Sequence, residues 1–67
     1  MSSIGDFIKS KRTELNMTMI DLADKIGTSQ SALSLIENER RVPNIETIRK
    51  ISYALKLTQD EFDFLFN

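Results

Sequence analysis

Hydrophobic residues recur along this chain at three- and four-residue intervals, and residues that favour helix starts and stops separate the recurrences. Ile4, Phe7, Ile8 and Leu15 fall on one stripe and predict a first helix over about 3–15. Ser3 is placed to cap it, Asp6 lies at its positive end, and Asn16 suits a left-handed stop. Gly5 sits in the first turn, where the helix penalty of glycine is least felt. Leu22, Ala23 and Ile26 predict the inner face of a second helix over 19–26, with Thr18 and Asp21 in capping-box positions and Gly27 ending it. Ser29 caps a third helix over 30–37, with Leu33 and Ile36 facing in and Gln30, Ser31, Ser34 and Leu35 facing out, all four uncharged.

Pro43 forbids helix through residue 42, so Asn38 to Pro43 reads as a loop. Asn44 caps a fourth helix over 45–55, with Ile45, Ile48, Ile51, Ala54 and Leu55 inside. Thr58, with Glu61 in the capping-box position, opens a fifth helix over 59–66 that carries Phe62, Phe64, Leu65 and Phe66. One Pro and two Gly leave little for strands joined by turns, so the expected class is all-α, a compact five-helix bundle. At 67 residues the chain is read as a single domain over 1–67.

The second and third helices are separated only by Gly27-Thr28-Ser29, the spacing of a helix-turn-helix. Ala23, small and on the inner face, lets the two helices cross closely. The outer face of the third helix is then left projecting from the body, with dimensions suited to a DNA major groove about 12 Å wide.

Composition narrows the chemistry. With no Cys and no His, disulfide scaffolds, zinc fingers, thiol catalysis and His-based triads are excluded. No catalytic constellation is visible, so no enzyme activity, cofactor or metal is expected. No apolar run approaches the ~20 residues that span a bilayer, and Met1 to Asp6 lacks the basic and apolar regions of a secretory signal, which points to the cytoplasm. The net charge of −1 argues against a nucleic-acid binder when taken alone. Its distribution does not: residues 58–67 hold Asp60, Glu61 and Asp63 without a base, and the rest carries nine bases against seven acids.

Four stretches, taken in order, resemble the Cro/phage-repressor type of helix-turn-helix domain, the XRE-like family with a lambda-repressor-like fold. They are Ile4-Gly5-x-x-Ile8-Lys9-x-x-Arg12, Leu22-Ala23-x-x-Ile26-Gly27-Thr28-Ser29-Gln30, Ile36-Glu37-Asn38-x-Arg40-Arg41-Val42-Pro43, and Ile48-x-x-Ile51-x-x-Ala54-Leu55-x-Leu57-Thr58-x-Asp60-Glu61. Together they cover nearly all of the chain. The resemblance implies sequence-specific binding to a double-stranded DNA operator by a bacterial or phage transcriptional regulator, a repressor, localised to the cytoplasm and held at the nucleoid by its DNA. Ser29, Gln30, Ser31, Ser34 and Leu35 would then meet base edges, Gln30 having the amide that pairs with adenine. Asn38, Arg40 and Arg41 would grip phosphates. The helix start at Thr18 and Met19 offers backbone N–H groups for another. An Arg12–Glu37 pair would join the first helix to the third, a structural contact rather than a DNA contact.

The chain departs from the family pattern at three places. Met19 stands where Gln is common, Leu35 where Arg, Lys or Gln is common, and Glu39 where Gly is common. Glu39 carries a cost if its φ is positive and puts an acid near the DNA backbone. Leu35 suits a thymine methyl or a protein surface. The crowded aromatics of the last helix mark Phe64 and Phe66 as an association surface, either for a homodimer spanning half-sites ~34 Å apart or for a following C-terminal domain. A second reading keeps the fold but makes it an antitoxin-like or adaptor module, docking a protein partner through the Leu35 surface or the aromatic helix.

Overall fold

Each of the five helices opens on a polar side chain that accepts a hydrogen bond from the backbone N–H three residues on. Ser3 takes Asp6, Thr18 takes Asp21, Ser29 takes Ala32, Asn44 takes Thr47 and Thr58 takes Glu61, at 2.8–3.2 Å. These satisfy N–H groups that a helix start otherwise leaves without a partner. The computed structural model describes residues 3–66, and for Phe66 the backbone alone. The helices are α1 (Ile4–Glu14), α2 (Met19–Ile26), α3 (Gln30–Glu37), α4 (Ile45–Ala54) and α5 (Gln59–Phe66), with no strand among the described residues.

The first four helices also end alike. The N–H of Met17 returns to the carbonyl of Arg12, Thr28 to Ala23, Arg40 to Leu35 and Leu57 to Ser52. In each case the residue just before the donor is left-handed: Asn16, Gly27, Glu39 and Lys56, with φ between 53° and 70°. This is the Schellman stop. Only α2 uses glycine for it; Asn16 is suited to the conformation, whereas Glu39 and Lys56 stand in one that costs each about 1–2 kcal/mol. Met17 and Leu57, the residues after two of these turns, pack against the core.

That core takes a fully buried residue from each of the first four helices: Ile8, Leu22, Leu33 and Ile51. Leu65 of α5 is buried as well. Helix α2 is central, packing on both α3 and α4; α1 lies across α3, and α5 lies on α4. Ala23 is buried on the inner face of α2, leaving room for the crossing.

The predicted pattern is adjusted at several positions. Leu15 is the C-cap of α1, not part of its inner stripe, and is 43% exposed. Leu55 is likewise the C-cap of α4. Ile45 is 51% exposed because it lies in the first turn of α4, before that helix reaches the core. Phe64 is half-exposed, and its ring packs against Phe7 of α1 with centroids 5.1 Å apart, so part of the expected aromatic excess is used within the chain. The side chain of Phe66, expected to share that surface, lies outside the described residues.

Candidate nucleic-acid interface

Gly27 turns the chain between α2 and α3 with φ +70°. Space does not require glycine there, since a Cβ would meet nothing within 4 Å; the backbone conformation does. Thr28 and Ser29 complete the turn. Helix α3 is eight residues long; an α-helix with its side chains is about 10–12 Å across, a thickness that a major groove about 12 Å wide admits.

Its outer face is a shallow depression lined by Met19, Gln30, Ser31, Ser34 and Leu35. All five side chains are uncharged. Ser29, also expected at base edges, is not among the lining residues, and its hydroxyl oxygen is engaged as the cap. The Ser34 hydroxyl accepts from the Asn38 side-chain amide at 3.2 Å, linking the face to the loop that follows it. Four expected base-edge residues therefore share one surface, and Met19, expected as a phosphate contact, joins them as an apolar wall. Its side chain is half-buried and rests on the core.

The opposite edge of α3 is held by charge. Arg12 meets Glu37 through two bonds, Nε to Oε2 at 2.9 Å and Nη2 to Oε1 at 3.1 Å. Both residues are more than 90% buried. The remaining guanidinium nitrogen, Nη1, donates to the Met17 carbonyl at 2.9 Å, so one side chain fixes α3 and the corner after α1 together. Planar, bidentate pairing of this kind has defined geometry as well as strength.

Glu39 adds a contact that its sequence position does not reveal. Its φ is +62°, the strained value anticipated at this departure from Gly. Its carboxylate turns back to accept the Gly5 N–H at 2.8 Å, at the positive end of α1. Gly5 is needed for this approach: a Cβ on it would overlap the Glu37 carbonyl oxygen and crowd the Glu39 carboxylate. The signal in the sequence is a glycine inside a helix, which marks close packing against another backbone.

Arg40 and Arg41 are exposed, and their N–H groups both return to the Leu35 carbonyl, at 2.8 and 3.2 Å. The backbone that carries the two cations is thus fixed just beyond α3. At the start of α2 the capping box uses the Thr18 N–H, which donates to Asp21 Oδ2 at 3.0 Å, so that group is not open to a phosphate. Hydrogen bonds from the Thr18 backbone and side chain hold the Asp21 carboxyl below the ordinary carboxylate range. Lys11 is taken up by Glu61 of α5. That hydrogen bond pushes the Lys11 ammonium up and the Glu61 carboxyl down, with the Thr58 backbone N–H adding to the second effect.

Comparison with known proteins gives this geometry its context. A family profile described as helix-turn-helix matches residues 8–62. The chain is 40% identical over 58 residues to the HTH-type transcriptional repressor RghR of Bacillus subtilis, covering 85% of this chain and 43% of that protein. It is 36% identical over 53 residues to the immunity repressor protein of Bacillus phage phi105, covering 79% of this chain and 37% of that protein. The chain thus spans less than half the length of these two relatives. Among solved structures, the N-terminal DNA binding domain of SinR from Bacillus subtilis matches with a TM-score of 0.81 at 32% identity, covering 96% of this chain and 90% of that one.

Proposed function

The chain belongs to the Cro/C1-type, XRE-like helix-turn-helix family, a family of DNA-binding transcription regulators and not a class of enzymes, and from that membership we propose that it binds double-stranded DNA sequence-specifically as a repressor, without chemistry of its own. Helix α3 enters the major groove. Gln30 meets an adenine edge through its amide, and Ser29, Ser31, Ser34 and Leu35 meet neighbouring edges. Arg40, Arg41 and Asn38 grip phosphates, joined by the Met19 N–H at the start of α2. The observation that carries this reading is the uncharged, outward face of α3, presented on a helix whose other edge is locked by Arg12 and Glu37.

The protein acts in the cytoplasm as a homodimer on two half-sites about one helical turn apart. The half-exposed Phe64 supports an association surface at α5. No helix among the described residues is long and apolar enough to cross a membrane.

Selection of bound duplexes from a random pool at fixed salt tests the reading. The expected result is a palindromic consensus. Arg40→Ala then weakens binding to all sequences alike and lowers the slope of affinity against salt by about one. Failure to enrich any duplex at low salt refutes the DNA reading and favours a protein partner.

A further inference from the structure

Two departures from the family pattern meet on the reading face. Met19 and Leu35 belong to different helices, yet both line the depression that holds Gln30, Ser31 and Ser34. Leu35 is 36% exposed, and Met19 is braced against the core behind it. The two side chains give that surface an apolar spot with a firm back. In a major groove one base-edge feature is apolar, the 5-methyl group of thymine.

We propose that Leu35 and Met19 form a methyl-reading site that makes one thymine of the half-site distinguishable from uracil. The inference rests on the DNA-binding reading above and gives it a chemical specificity. A charged side chain, common at position 35 in the family, would favour guanine at the same place. Leu35 has no donor or acceptor to offer, so it selects by removing a methyl from water.

The test replaces each thymine of the selected duplex, one at a time, by deoxyuridine, which removes the methyl and leaves the Watson–Crick edge intact. Affinity is measured by fluorescence anisotropy at fixed salt. One position per half-site is expected to weaken binding about fourfold, the worth of one buried methyl. Leu35→Ala is expected to bind the thymine and uracil duplexes equally and to keep its preference for the Gln30 adenine. The proposal is overturned if every deoxyuridine duplex binds within about 1.5-fold of the parent, or if Leu35→Ala retains the discrimination. A pool that yields no consensus removes the underlying DNA reading as well, whereas a consensus insensitive to uracil removes only the methyl site. The wild-type measurement needs no variant, so a folding defect in Leu35→Ala leaves the first arm decisive.

Discussion

The two edges of α3 follow opposite rules. The inner edge ends on Glu37, a buried carboxylate with both oxygens bonded to Arg12. The outer edge presents only uncharged side chains, Gln30, Ser31, Ser34 and Leu35, to the depression they share with Met19. Charge on this helix therefore fixes orientation, while the neutral groups are the ones that the proposed function assigns to recognition. A buried ion pair is poor at adding net stability but demanding about geometry, which suits the first task. Small polar and apolar groups discriminate between base edges without attracting every phosphate alike, which suits the second.

The contrast can be broken from either side. Glu37→Ala leaves Arg12 charged and buried without its partner, and is expected to cost about 3–5 kcal/mol in urea unfolding. Replacing Arg12 with Met and Glu37 with Leu together is expected to recover most of that loss, because no orphan charge remains. Gly5→Ala forces a methyl into the Glu37 carbonyl and is expected to cost about 1–3 kcal/mol, read in the same melt. On the outer edge, Gln30→Ala should leave the melt unchanged. Its loss of about 1–3 kcal/mol should appear only in discrimination at one base pair.

Smaller effects sharpen the comparison at the helix ends. Lys56→Gly relieves a left-handed side chain that bonds nothing on α1, and is expected to stabilise by about 1 kcal/mol. Glu39→Gly relieves the same strain but gives up the Gly5 N–H, so its gain should fall below that of Lys56→Gly. The smallest expected effect is the pH response of the α1–α5 bridge. Glu61 is held below its usual 4.5, so its contribution is complete above that value and is lost as pH falls through the lowered one. Lys11 is held above its usual 10.5, so its contribution persists below that value and is lost as pH rises through the raised one. Lys11→Met should flatten both limbs of a stability–pH profile.

What the sequence made legible was local. All five caps couple a side chain to a backbone group three residues away, and the turn at Gly27 is set by the conformation of one residue. The Arg12–Glu37 contact spans 25 positions and was reached only through resemblance to a family. The Glu39–Gly5 bond spans 34 positions and depends on how α1 crosses the end of α3, which no short pattern encodes. Leu15 and Ile45 fit their stripes by spacing, but each sits at a helix end that overhangs the core. Position 19 looked like a backbone contact because helix starts offer N–H groups. Its side chain also lines the depression beside α3, which depends on how the two helices cross.

The Arg12 guanidinium has one further consequence. Because it grips both the Met17 carbonyl and Glu37, α3 cannot roll about its own axis without disturbing the bend that follows α1. On the proposed function, retargeting amounts to a graft: the outward positions of α3 can be exchanged as a set, while the angle at which any new set is presented is inherited unchanged from the first helix.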